Sequence, residues 1–194
     1  MSKRLFDLFF SGVGLLFLLP LLIIVATLVK LNSRGPVFFI QERIGRNFHP
    51  FGIFKFRSMA IDASTNGPLI TVEGDKRVTR IGKYLRKYKI DELPQLINVF
   101  IGDMSLVGPR PEVKKYVDLF RKDYERLLTV RPGITDPASI TFSREESVLL
   151  ASADWEKDYV EKILPEKIRL ALTYLENPSI LTDVKLILQT FLKI

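Results

Sequence analysis

The chain has no cysteine and a single histidine among its 194 residues. Without cysteine there is no disulfide, no thiolate catalysis and no cysteine metal site, which fits a cytoplasmic domain. One histidine excludes a multi-histidine metal site, and His49 stands before Pro50, which reads as a turn. Acidic residues are outnumbered, 22 against 29 Lys and Arg, for a formal net charge of +7. That balance suits an anionic membrane surface, a phosphate-bearing substrate or nucleic acid. Internal repeats and low-complexity stretches are also missing.

Charge is missing altogether from Leu8 to Val29, a run long enough to span a bilayer. Two features argue for a different path. Pro20 sits in mid-run, where it removes a backbone hydrogen bond and kinks a helix. Lys3 and Arg4 precede the run, Lys30 and Arg34 follow it, and segments rich in Lys and Arg tend to stay cytoplasmic. The expectation is a re-entrant, monotopic helix over residues 1–34 that bends at Pro20 and leaves on the face it entered; a straight span is the alternative. A cleaved signal peptide fits less well, because the run is too long and no small-residue cleavage site follows. A buried soluble helix would show a polar face. Residues 35–194 form one further domain, with the boundary near Asn32-Ser33-Arg34-Gly35-Pro36.

That domain reads as mostly helical with a small β-hairpin. Val37 to Ile40 and Phe51 to Phe56 are strand-like and flank a turn at Gly45-Arg46-Asn47. Ile61 to Asp75 reads as a loop. Helical spacing resumes at Val78, Ile81 and Leu85, and the cations from Arg77 to Lys87 would face anionic lipid heads. A helix beginning near Pro94 ends at Gly102-Asp103. Glu112 to Thr129 reads as one further helix, between the rigid connections Gly108-Pro109-Arg110-Pro111 and Arg131-Pro132-Gly133-Ile134-Thr135. The last third is helical in pieces that start near Ser152, Pro165 and Pro178. In the final piece Ile180, Val184, Ile187, Leu188 and Phe191 align for packing on the core, with the membrane interface as the alternative.

The chemistry centres on Asp91-Glu92, between the basic segment Arg86 to Lys89 and Pro94. Proline is comfortable only in a helix's first turn, which places the acid pair at or just before a helix N-terminus. Adjacent acids there can attack phosphorus, hold a divalent metal, or both. Arg110, stiffened by a proline on each side, can bind phosphate through two hydrogen bonds. Arg86 lies five residues before Asp91, and Lys55 and Arg57 alternate on one strand so that both point to one face. Arg131, ahead of Pro132-Gly133, is a further candidate for phosphate or nucleotide.

Four segments carry a family resemblance: Lys55-Phe56-Arg57-Ser58-Met59, Asp91-Glu92-Leu93-Pro94-Gln95-Leu96, Gly102 to Pro111, and Arg131-Pro132-Gly133-Ile134-Thr135. In this order and spacing the chain resembles the small monotopic phosphoglycosyl transferases, a bacterial sugar transferase family. The resemblance implies transfer of a sugar-1-phosphate from a UDP-sugar to a polyprenyl (undecaprenyl) phosphate, with release of UMP. It also implies Mg²⁺, a ping-pong route and a site on the cytoplasmic face of the bacterial inner membrane, among membrane lipids. Carried onto this sequence, Asp91 is the nucleophile. Glu92 joins Asp91 in holding the metal, or assists proton transfer from the acceptor. Two positions depart from the family pattern: Leu19 precedes Pro20 where relatives often have serine, and Asp136-Pro137-Ala138-Ser139 replaces Gly-Leu-Ala-Gln. A nucleic-acid partner is not expected, since no RNA-binding motif is present and the acid pair would repel a backbone. A catalytically silent scaffold is the second rival. Whether copies of the chain associate stays open.

Overall fold

The computed structural model describes residues 2–60, 74–143, 149, 152 and 154–193. Helix α1 runs unbroken from Ser2 to Asn32 with Pro20 inside it. Its length and apolar composition are sufficient to cross a membrane. Its two ends dock on the rest of the protein. At the start, Arg4 donates to the Val99 and Phe100 carbonyls at 2.6 and 2.9 Å. Asp7 is buried and accepts from Ser105 Oγ at 2.8 Å and from Leu106 N at 3.0 Å, while Lys3 pairs with Asp183. Near the other end, Val25 and Val29 pack with Phe56 and Leu85. Between these contacts Leu16, Phe17, Leu19, Ile23 and Ile24 remain exposed.

The hairpin forms as expected, β1 (Phe38–Ile44) running antiparallel to β2 (Pro50–Phe56). The loop expected over Ile61 to Asp75 lies largely outside the described residues. Thr79 then caps α2 (Arg80–Lys87), its side chain accepting from Gly82 N at 3.0 Å. Lys89, at φ 54°, reverses the chain into a tight 3₁₀ turn, Ile90–Glu92. Pro94 then leads into α3 (Gln95–Ile101), which Gly102 ends at φ 107°, so the acid pair sits just before a helix as its sequence predicts. Asn98, buried on α3, clamps this helix to β2: it accepts from Phe54 N at 2.9 Å and donates to Gly52 O at 2.8 Å.

Three expectations need correction. The rigid loop expected over Arg131 to Thr135 holds a short strand, β4 (Gly133–Thr135), which pairs in parallel with β3 (Ser105–Val107), just before the Gly108 to Pro111 connection. Glycine makes the approach possible, since a Cβ on Gly133 would stand 2.1 Å from Gly108 N. The single helix expected from Glu112 to Thr129 is two, α4 (Lys114–Leu119) and α5 (Arg121–Leu127), broken at Phe120. No glycine or proline announces the break, and the buried face persists across it through Val117, Tyr124 and Leu127. After α6 (Pro137–Thr141), capped by Asp136, α7 (Trp155–Asp158) passes through a π turn into α8 (Leu164–Glu176). The third correction concerns the last helix, α9 (Ile180–Lys193), which turns only part of its apolar stripe inward. Asp183 is drawn inside by Tyr174 Oη at 2.6 Å and by Lys3, and Leu186 and Ile187 pack beside it. Leu181, Leu188, Phe191 and Leu192 stay exposed. The main core lies among α4, α5 and α8, around Tyr116, Val117, Leu127 and Leu164.

Candidate functional site

The acid pair lines an open cleft of about 1530 Å³. Its apolar walls come from α1 (Phe6, Phe10, Phe17) and α9 (Leu188, Phe191), and its polar surface includes Lys55, Arg86, Asp91, Glu92 and Arg110. Three of the residues predicted from sequence meet at one atom. Glu92 Oε1 accepts from Arg110 Nη2 at 2.5 Å and from Lys55 Nζ at 2.8 Å. Burial favours the neutral form of Glu92, but the two cations outweigh it and hold the carboxyl well below its usual range. Burial acts on Lys55 too, lowering its pKa, with Glu92 opposing. Arg110 is held in its charged form chiefly by Glu92.

Asp91 contrasts with its neighbour. It is only 5% exposed, and its Oδ1 is enclosed with no hydrogen-bond partner. Burial raises its pKa and the Glu92 charge adds to the rise, while Lys55, Arg86 and Lys89 pull it down. Two adjacent carboxyls are thus separated chemically: one neutralised by partners, the other left with an oxygen that nothing in the fold uses. Environments that push neighbouring acids apart in this way mark sites where each does a different job.

The remaining predicted residues divide. Arg86 and Arg57 both line the cleft, but the guanidinium of Arg57 is committed to the segment after α1. It donates to Arg34 O at 2.8 Å and to Ser33 O at 2.7 Å, fixing where α1 ends. Arg131 donates to Gly102 O at 2.6 Å and ties β4 to the end of α3, so it is not brought to the acid pair. Pro20 is exposed on α1 and does not line the cleft. Among the described residues no group of three or more Asp, Glu or His side chains could hold a metal ion.

Sequence reasoning missed a second polar cluster in the same cleft. Glu112 accepts from Arg43 Nη1 at 3.1 Å and from Tyr159 Oη at 2.7 Å. Asp136, one of the departures from the family pattern, is buried against Arg110 N, and its Asp-Pro-x-Ser pattern, a helix-start signature, is the signal the sequence offers. Asp7 and Asn98 were legible as polar residues interrupting apolar faces.

The family model for bacterial sugar transferases matches residues 1–194. The chain belongs to the bacterial sugar transferase family. Among its relatives is the UDP-N-acetylgalactosamine-undecaprenyl-phosphate N-acetylgalactosaminephosphotransferase of Aeromonas hydrophila, 38% identical over 97% of this chain and 42% of the relative. The undecaprenyl-phosphate glucose phosphotransferase of Komagataeibacter xylinus is 43% identical over 98% of this chain and 35% of the relative. The exopolysaccharide production protein PSS of Rhizobium leguminosarum bv. phaseoli is 39% identical over 97% of this chain and 92% of the relative. The chain thus spans well under half the length of the first two sugar transferases and most of the third.

Proposed function

We propose that this chain transfers a sugar-1-phosphate from a UDP-sugar to a membrane polyprenyl phosphate, releasing UMP, as the first membrane step of a bacterial glycan assembly. The observation that carries this reading is the cleft: it joins apolar walls from α1 and α9 to a cationic floor around two unlike carboxyls. A prenyl chain cannot leave the bilayer and a nucleotide sugar cannot enter it, so a site serving both needs such a joint surface. The Aeromonas and Komagataeibacter relatives, both undecaprenyl-phosphate phosphotransferases by name, support the acceptor class.

In this reading the Asp91 carboxylate attacks the sugar-bearing phosphorus, and the bond to the bridging oxygen breaks so that UMP leaves with its electron pair. The covalent Asp91 phosphosugar is then attacked by an oxygen of the polyprenyl phosphate, which displaces the carboxylate in a ping-pong cycle. Splitting one displacement into two is the gain of covalent catalysis. Lys55, Arg86 and Arg110 hold the phosphates. Glu92, kept ionised, is better suited to aiming Lys55 and Arg110 than to carrying a proton. The residues fit Mg²⁺ in a limited sense: Asp91 offers one unpartnered oxygen, and this ion is commonly held by one or two carboxylates together with substrate phosphates. Glu92 Oε1 is already shared by two cations. When bound, the ion would neutralise charge on the diphosphate.

The domain would sit on the cytoplasmic face of the inner membrane with α1 dipping in and returning. Contacts of both ends of α1 with one domain support that path. The test is UMP release from a panel of UDP-sugars by purified protein with undecaprenyl phosphate and Mg²⁺. One sugar should release UMP, and Asp91→Asn should reduce release to background. Normal turnover by that variant would refute the assignment.

A further inference from the structure

We propose that Asp136 is a positioning residue for Arg110, acting through the only backbone donor that the Pro109-Arg110-Pro111 segment possesses. Proline has no N–H, so Arg110 N is the single main-chain donor in this triplet. Asp136 Oδ2 accepts from it at 3.4 Å, while Oδ1 accepts from Ser139 N at 2.7 Å. The carboxyl is 1% exposed, so the arrangement is enclosed rather than incidental to the surface.

The parallel strands explain why two residues 26 positions apart meet here. The chain leaving β3 is laced to β4 at both of its ends: Gly108 N donates to Thr135 O at the exit of β4, and Pro109 O accepts from Gly133 N at its start, each at 3.0 Å. The residue leaving β4 therefore stands beside the residue leaving β3. Arg110 is gripped from two directions, Glu92 taking its guanidinium and Asp136 its backbone. A guanidinium delivers two-point recognition only when its plane is set, and a stiff backbone sets it. Among the described residues Asp136 makes no hydrogen bond or ion pair with the acid pair; its effect runs through Arg110.

The test combines Asp136→Asn with Arg110→Lys. Asparagine keeps one oxygen for Ser139 N but turns an amide NH₂ toward Arg110 N, so the helix cap survives and the hold on Arg110 does not. The kcat/KM for the sugar donor should fall about tenfold in Asp136→Asn. In an Arg110→Lys background the same change should cost less than twofold more, because the group being positioned is already lost. Equal losses in both backgrounds would overturn the proposal. This kinetic arm rests on the transferase reading; a second arm does not. The ¹³C carboxyl resonance of Glu92, which reports its bond to Arg110, should shift in Asp136→Asn in the absence of any substrate. An unmoved resonance would also overturn the proposal. Failure of every donor with the parent protein would count against the transferase reading alone, and the resonance would still decide the role of Asp136.

Discussion

At the scale of single residues, Asp91 is a stability cost that the fold tolerates. Its folded pKa is raised by burial and by Glu92. Between the ordinary carboxylate range and that raised value, the folded protein holds a proton more tightly than the unfolded chain. Stability therefore falls as pH rises through this window and stays lower above it. Asp91→Asn removes the buried charge. Without divalent ions at pH 7 it should unfold at a higher temperature than the parent, by about 1 kcal/mol or a few degrees. The advantage should fade below about pH 4, where the parent carboxyl is protonated in both states. Thermal unfolding of the pair across pH checks this; a variant no more stable than its parent at pH 7 would contradict the burial argument. Residue by residue, the site was partly legible. Asp91, Glu92, Lys55 and Arg110 announced themselves by charge beside proline or on a short strand. Arg57 and Arg131 carried the same charge, and nothing local shows that a guanidinium will be spent on backbone carbonyls 23 or 29 residues away.

At the scale of elements, what the sequence displayed was what periodicity and turn chemistry encode. The hairpin, the helix after Pro94 and its glycine stop depend on neighbours in the chain, and all three appear where expected. The β3–β4 pair was hidden because three-residue strands have no measurable alternation, and their pairing is decided by contact across the fold. The same non-local logic rotates α9, where one buried acid with two partners leaves most of the aligned apolar stripe outside. The strand pair is also the most brittle element. A Cβ on Gly133 would lie 2.1 and 2.4 Å from Gly108 backbone atoms, which no rotamer change can relieve. Gly133→Ala should cost about 3 kcal/mol or more. Gly74→Ala makes a useful control: it meets nothing within 4 Å and bears only the strain of its φ of +81°, about 1 kcal/mol. Denaturant titration of both variants should rank them in that order, and equal losses would mean that the strands can part without consequence.

At the scale of the whole molecule, the proposed membrane site asks how a long apolar helix could enter a bilayer while staying joined to a charged domain. A 31-residue helix is about 46 Å long, more than the roughly 30 Å of hydrocarbon in a bilayer. A straight crossing would put one end of α1 on the far side from the domain. Yet Arg4 and Asp7 at one end, and Val25 and Val29 toward the other, all touch that domain. Releasing the first set would strand the Asp7 carboxylate and Leu106 N without their partners, at about 1–3 kcal/mol for each buried group. Releasing the second would expose the apolar contact with Phe56 and Leu85. Keeping both sets leaves the stretch between them free to enter lipid, with Val13, Leu16, Phe17, Leu19, Ile23 and Ile24 exposed and Pro20 within it. The absence of native cysteine makes the test clean. Single cysteines replacing Ser2 and Asn32 should both react with an impermeant maleimide from the cytoplasmic side of inverted membrane vesicles, and neither from the opposite side. Protection of one from the cytoplasmic side, with labelling from the other, would mean that α1 crosses. In that case one of its two docking surfaces could not persist in the membrane.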